Sequence, residues 1–490
     1  MPRPPVMLRR GGAEAMKIQQ VQVSAQSPAR FAPVLSDAQY ANLVATIERA
    51  RGIIDARVIW NINSTARGGG VAELLQSLVA YVRGAGFDSR WGVIAGKPDF
   101  FTLTKRLHNR LHGAAGDRGL LDDEQRAVYD RVSVDNARAL RRLVRSGDIV
   151  LLHDPQTAGL VRPLLDKGAR VIWRCHVGLD VPNDLARSAW DFLRPYVEDA
   201  DAYVFSRAAF AWEDLDPERL FVIPPSIDVF TPKNQEIDPP TVTAILAAAG
   251  LASGSAGAPP VFTRSDGSPE RVDRRAELIE DAPVPQSGHV VTQVSRWDRL
   301  KDPAGVLDAF ASVIAPRTDA HLVLAGPAVA AVADDPEGAE VLAEVTAQRE
   351  GLAGDVRARV HLALLPMEDL EENAAIVNAL QRRSQVVCQK SIAEGFGLTV
   401  AEAMWKARPV VASAVGGIQD QILDGETGVL VDPHDLDGFG EAVTSLLADP
   451  ARAERLGVQA RARVREVFLG PRHLTQYVDL FERVLRDARQ

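Results

Sequence analysis

Residues 384–413, SQVVCQKSIAEGFGLTVAEAMWKARPVVAS, decide the fold class. A β-branched run, SQVVCQK, leads into a Gly-Phe-Gly turn. A run with helical spacing opens on that turn and stops before Pro409, where a second β-branched run, ARPVVAS, begins. Strand, helix and strand within about 30 residues make the βαβ unit of a parallel sheet. Glu394 and Glu402 stand eight positions apart around the turn, with Glu402 about one helical turn in. Gly395 and Gly397 let the backbone approach a phosphate, the helix start presents unpaired amides, and the two carboxylates are acceptors for sugar hydroxyls. Two glutamates serving only to solvate a helix fit less well, because the residues between them are apolar and the turn requires glycine.

The same alternation extends outward. HVVTQVS from His289, HLVLAG, ARVHLAL and, downstream, GVLV are further strand-like runs, each followed by a helical stretch. Ser295 to Lys301, SRWDRLK, follows the first of them and sets two or three cations at a strand's carboxyl end. That suits a diphosphate, since arginine forks onto phosphate oxygens and lysine adds a point charge. A surface charge run is the alternative.

A separate series of runs at 57–60, 91–94, 149–152, 171–173, 203–205 and 221–223 makes a first α/β domain. Its first helix is marked by one apolar stripe through Val71, Leu74, Leu75, Leu78, Val79 and Val82. WNINSTARGGGVAE places Gly68, Gly69 and Gly70 between the first strand and that helix, where backbone amides face a polar or anionic ligand. A turn required only for close packing is the alternative. A dinucleotide-binding fingerprint needs a third glycine where Glu73 stands, so a dehydrogenase is disfavoured. Two more strands end in polar clusters, His153, Asp154, Pro155 and Gln156 in one case and Arg174, Cys175 and His176 in the other. Three segments thus converge on the sheet edge where open α/β folds bind ligands.

The expected organisation is an N-terminal extension (1–55), a first Rossmann-like domain (56–230), a linker and insertion (231–286), a second Rossmann-like domain (287–435) and C-terminal helices (436–490) crossing back to the first domain. The extension and the Pro/Gly/Ser-rich stretch 247–285 read as flexible, with one short helix expected near Thr241. A net charge of -9 over 490 residues argues against nucleic-acid or membrane binding. Two cysteines, Cys175 and Cys388, provide no disulfide framework, and no secretory leader or membrane span is legible, which points to the cytoplasm. Asp199-Ala200-Asp201 and Asp435-Leu436-Asp437 sit at helix ends, where aspartates cap, so no metal site is assigned.

Taken together, the Glu394/Glu402 pair, Arg296, Lys301 and the glycine loop resemble the retaining GT-B glycosyltransferases of family four. Within that family, WNINSTARGGGVAE, HDPQ, WRCHVGLD, PPSIDVFTPKN, TQVSRWD, the DDPEG stretch at 334–338 and EGFGLTVAEAMWK look, in order, like the trehalose glycosyltransferring synthases. The resemblance implies a GT-B fold, two Rossmann-like doubly wound domains facing a central cleft. It also implies reversible transfer of glucose from ADP- or UDP-glucose to glucose, giving α,α-trehalose. No prosthetic group is implied, free magnesium is at most a stimulant, and the partner is a second copy in a homodimer.

Carried over by residue, Arg296 and Lys301 stabilise the diphosphate, Glu394 holds donor-sugar hydroxyls and His176 touches the reacting sugar. Gly70, Gly326, Gly395, Phe396, Gly397, Leu398 and Thr399 line the donor, and Glu402 takes the ribose. Acceptor contacts fall on Asn63, His153, Asp154 and Gln156. Asp302 departs from the glycine that family members often carry after the lysine, which leaves the loop geometry open. Rival assignments are a retaining trehalose phosphorylase, a transferase of the same fold with another acceptor, and a non-catalytic sugar or nucleotide sensor.

Overall fold

A computed structural model describes residues 17–66, 69–253, 257–328 and 336–487. Gly68 of the glycine loop and Asp334 and Asp335 of the DDPEG stretch lie outside the described residues. The first sheet holds β1 (Gln19–Val21), β2 (Ile59–Asn63), β3 (Ser89–Val93), β4 (Ile149–His153), β5 (Arg170–Cys175), β6 (Ala202–Phe205) and β7 (Leu220–Val222). Their order is β1-β3-β2-β4-β5-β6-β7, and only β1 is antiparallel to its neighbour. A hairpin of β8 (Val261–Thr263) and β9 (Pro269–Arg271) follows.

The second sheet holds β10 (Glu277–Ile279), β11 (Val290–Val294), β12 (His321–Pro327), β13 (Val360–Leu365), β14 (Val386–Gln389), β15 (Val410–Ser413) and β16 (Val429–Val431), in the order β10-β13-β12-β11-β14-β15-β16. Again all pairs are parallel except the edge strand, β10 against β13. β2, β4, β11, β13, β14 and β15 are buried along their whole length, as strands covered by helices on both faces must be, which is why they read as continuous apolar runs. Cys175 and Cys388 are buried, unpaired thiols within β5 and β14.

The order of strands positions the site. The direction of winding reverses between β2 and β4 in the first sheet and between β11 and β14 in the second. Such switch points open a crevice at the carboxyl ends of their strands. Asn63, His153 and Asp154 stand at the carboxyl ends of β2 and β4 on one side, and residues 295–301 and 390–398 follow β11 and β14 on the other.

Three stretches differ from expectation. The extension read as flexible contains β1 and a helix, Asp37–Ile54, closed at its start by a capping box between Ser36 and Gln39. The insertion contains the β8/β9 hairpin and β10, which joins the second sheet, whereas its helix Pro239–Ala248 is the short helix expected near Thr241. Arg57 lies ahead of β2, which instead runs on to Asn63. The tail forms helices Leu436–Ala448, Pro450–Val467 and Gly470–Asp487. Leu469 bridges to Ile227, and the last helix then lies on the first domain, where Arg174 meets His473 and Tyr477 and Arg472 holds the carbonyls of Pro224 and Pro225. No helix among the described residues is long and apolar enough to cross a membrane.

Candidate active site

The second-domain half of the site is built on the turn after β14 and the loop after β11. Gly397 has φ of 83° and caps helix Leu398–Trp405, a left-handed conformation that a side chain would strain. Gln421 Nε2 donates to the carbonyls of Phe396 and Gly397 and locks the turn. Leu398 and Thr399 open the helix, where no preceding helical carbonyl receives their amides, and the Thr399 hydroxyl donates to Gln389 Oε1 at 2.8 Å. Phe396 is buried, its ring against Phe468. Lys301 Nζ binds the Glu394 carboxylate, which also accepts from Ser391 Oγ at 3.3 Å. This is a short cation–anion pair at the mouth of the second switch point.

Arg296, by contrast, is 44% exposed and pairs with Asp298 at 3.0 Å. Burial works against the charge on Asp298, yet Arg296 and Lys301 hold its carboxyl below the ordinary range. Arg299, the third cation of the loop, turns away to Glu337, Glu340 and Glu344 on helix Pro336–Glu350. Gly326 ends up beneath Trp297, where a Cβ would come within 2.7 Å of the indole, so it supports the loop from below.

Asp302, where family members often have glycine, adopts a left-handed conformation with φ of 47°. Its side chain offsets that strain by capping Gly305 N at 3.0 Å and pairing with the buried Lys390. This left-handed conformation is one that glycine adopts without strain. Replacing Asp302 by glycine is expected to lower stability by about 1–2 kcal/mol, from the lost cap and the unpaired Lys390 ammonium. Urea unfolding of the two proteins measures it.

In the first-domain half, His153 Nδ1 and His176 Nε2 lie 3.0 Å apart, and His153 Nε2 lies 3.2 Å from Asn61 Oδ1. Burial, then the neighbouring Arg174 guanidinium, lowers His153 to about 3, and burial with Arg174 and His153 pushes His176 well below the imidazole range. Both rings are neutral near pH 7. Asp154 takes a positive φ of 66° and accepts the His176 amide at 2.8 Å. Asn63 is engaged at both ends of its amide, by Trp91 Nε1 and by the Thr65 carbonyl. Asn63 and His153 are thus placed behind the cleft wall, with their polar atoms taken by protein partners. Gln156 keeps a buried Oε1 with no hydrogen-bond partner.

Among the described residues the halves meet at several places. A Cβ on Gly395 would lie 2.8 Å from the His176 carbonyl oxygen, so only glycine permits this approach of two backbones. Gly70, opening helix Gly70–Gly84, faces Leu398 at the start of the second-domain helix, 3.0 Å from a would-be Cβ. Asp180 accepts from Gly416 N at 2.8 Å and Gln419 Nε2 at 2.9 Å, while Arg207 binds Asp180, the Gly416 carbonyl and Asp420. The donor and acceptor segments read from the sequence are brought face to face.

Residues 61–212 match the family described as trehalose synthase, N-terminal domain, and residues 274–463 match glycosyl transferases group 1. The trehalose synthase of Pyrococcus horikoshii is 36% identical over 437 residues, 89% of this chain and 92% of that protein. The trehalose synthase of Rubrobacter xylanophilus is 36% identical over 471 residues, 96% of this chain and 99% of that protein. The chain belongs to the trehalose synthase family of glycosyltransferases. Its fold is GT-B. The α,α-trehalose-phosphate synthase (UDP-forming) of Burkholderia vietnamiensis, 17% identical, matches it with a TM-score of 0.63 over 87% of this chain and 98% of that one.

For this member of the trehalose synthase family, the sequence left several site neighbours unread. Lys105, His108 and His112, on or just after helix Pro98–Leu111, lie within electrostatic reach of the loop after β11. Burial first, then the neighbouring Lys301 ammonium, lowers His112 to about 4. Asp180 stands inside the quoted WRCHVGLD segment without having been singled out, and Lys233 stands inside PPSIDVFTPKN. Each segment holds a second charged residue, Arg174 in one and Asp228 in the other, so charge alone did not single them out.

Proposed function

We propose that the chain transfers glucose from a nucleoside diphosphate glucose to free glucose, reversibly and with retention, forming α,α-trehalose. The observation that carries this reading is the Lys301–Glu394 pair at the second switch point, set beside the seam where Gly395 passes the His176 carbonyl. A cation there meets the negative charge that grows on a departing diphosphate, and the amides of Leu398 and Thr399 add oriented dipoles. Glu394, fixed by Lys301 and Ser391, accepts from donor-sugar hydroxyls. Glu402 accepts from the ribose, His176 contacts the reacting sugar, and Gly70 borders the donor phosphates. On the acceptor side Asp154 and Gln156 contact glucose, and Asn63 and His153 hold the wall behind them.

The bond from the anomeric carbon to the phosphate oxygen breaks and a bond to the acceptor oxygen forms on the same face. The acceptor proton passes to the leaving phosphate, so the nucleoside diphosphate departs with the bonding pair and the charge balances. Glu394 is engaged by Lys301 and acts as an orienting carboxylate rather than a nucleophile. Supplying donor labelled with carbon-13 at C1 and following the product by NMR tests the stereochemistry. Label in an α-configured position of trehalose supports retention, and a β-linked product contradicts it.

Burial pushes Asp154 up to about 7, against the His176 amide and Arg174, which pull it down. The ionised carboxyl accepts from that amide and from an acceptor hydroxyl more strongly than the neutral acid does. As pH falls through about 7 the group takes up a proton, so kcat/KM for glucose is expected to drop roughly tenfold per pH unit below it. Asp154→Asn removes this acid limb. The two histidines are already neutral and add no limb near pH 6.5.

A further inference from the structure

The chain crosses from the first domain to the second along 226–234, and one cation in that crossing touches both domains. Lys233 Nζ lies 2.9 and 2.8 Å from the two carboxylate oxygens of Glu73, on helix Gly70–Gly84. It also lies 3.4 Å from Glu402 Oε1, on helix Leu398–Trp405. Glu402 is 1% exposed, and its second oxygen, Oε2, is buried without a hydrogen-bond partner. Glu402 is one of the residues lining a cavity that also takes in Glu73, Ser77, Leu78, Asp228 and Leu398.

We propose that Lys233 is a positioning residue for donor binding, fixing Glu402 for the ribose diol and tying that contact to the first domain through Glu73. The proposal rests on Glu402 as the ribose contact. The other nearby lysine acts on Glu402 only through space: Lys406 Nζ donates to Asn234 Oδ1 and to the backbone carbonyl of Glu402, not to its carboxylate. A buried carboxylate without a counter-charge takes up a proton rather than stay ionised. Burial already raises Glu402, and the Lys233 ammonium is the foremost influence lowering it again. An ionised Glu402 is acceptor-only and can receive two hydroxyl donors, whereas the protonated acid receives them poorly. Lys233 itself is fixed by its neighbours, since Asn234 Nδ2 binds the Asp228 carbonyl and Asp228 accepts from Tyr81 and from Phe230 N.

The test measures binding of ADP and UDP, each beside its 2′-deoxy counterpart, by calorimetry between pH 5.5 and 8.5. The proteins are the full chain and its Lys233→Met, Lys233→Arg and Glu73→Gln variants. The full chain is expected to prefer the bound ribonucleotide over its 2′-deoxy form at least tenfold. Lys233→Met is expected to bind it 10- to 100-fold more weakly, with the preference for ribose shrinking as pH falls and Glu402 takes up a proton. Lys233→Arg restores most of the affinity. Glu73→Gln keeps ribonucleotide affinity within about threefold and lowers kcat, because only the tie to the first domain is weakened. A Lys233→Met variant that keeps full ribose preference at every pH overturns the role of Lys233 alone. Equal binding of both nucleotide forms by the unaltered chain overturns the placement of ribose on Glu402, and this proposal with it.

Discussion

Replacing Lys301 by alanine is expected to lower kcat roughly 10²- to 10³-fold, the range found when one preorganised donor is removed from a developing negative charge. That corresponds to about 2.7–4 kcal/mol of transition-state stabilisation. Stability is expected to fall by only about 1–2 kcal/mol, because Glu394 keeps its Ser391 contact after the ammonium is lost. Arg296→Ala should be milder on both counts, since Arg296 is more exposed and pairs with Asp298. Turnover at saturating substrates, set beside urea unfolding of the same variants, separates the two effects. Equal losses in activity and stability for Lys301→Ala would remove the lysine from the chemistry.

The second large effect is steric. Gly395→Ala places a Cβ 2.8 Å from the His176 carbonyl oxygen, and the obstruction is backbone, which cannot swing aside as a side-chain end can. The domains must part by some tenths of an ångström or the turn must tilt. Misplacement on that scale between a bound donor and its acceptor costs turnover heavily, and kcat is expected to fall roughly 10²-fold. Each domain keeps a core of its own, but a further apolar cluster runs from Leu75 and Tyr81 to Phe396 and Val400 beside the seam, so the melting temperature should fall modestly as well. Nucleoside diphosphate affinity should fall less than turnover, because the diphosphate contacts proposed for Lys301, Leu398 and Thr399 lie on the second domain and only Gly70 comes from the first. Kinetics together with calorimetry check both, and a Gly395→Ala enzyme within twofold of normal turnover would show that the seam need not close for reaction.

The sheet strands were legible where burial on both faces leaves a continuous β-branched run, as in β4, β11, β13 and β14. β1, β8, β9 and β10 were not, because three-residue strands such as QQV and PER carry too few side chains to show a period, and β1 and β10 owe their place to antiparallel pairing at a sheet edge. The helix Asp37–Ile54 was hidden for another reason: its buried positions include Thr46 and Ala50, so its apolar stripe is faint.

Within the site, glycine and charge in a fixed order identified the turn at 394–402 and the loop at 295–301. Two assignments made from position at strand ends changed in character. Asn63 and His153 do reach the crevice edge, but neighbouring strands supply partners for their polar atoms, as buried polar groups require. The contacts of Asp180, Arg207 and Lys233 across the domains join residues far apart in sequence, and no local pattern encodes them. Asp302 stands in a left-handed conformation that favours glycine, and its side chain caps the next helix from there, which the sequence pattern alone does not show.

Incubating purified protein with trehalose and, in parallel, ADP, UDP, GDP or inorganic phosphate tests the central claim most directly. Release of glucose together with a nucleoside diphosphate glucose, in at least one of the three nucleotide reactions and not with phosphate, is the predicted result. Glucose 1-phosphate formed with phosphate alone, or no turnover in any of the four, would contradict it.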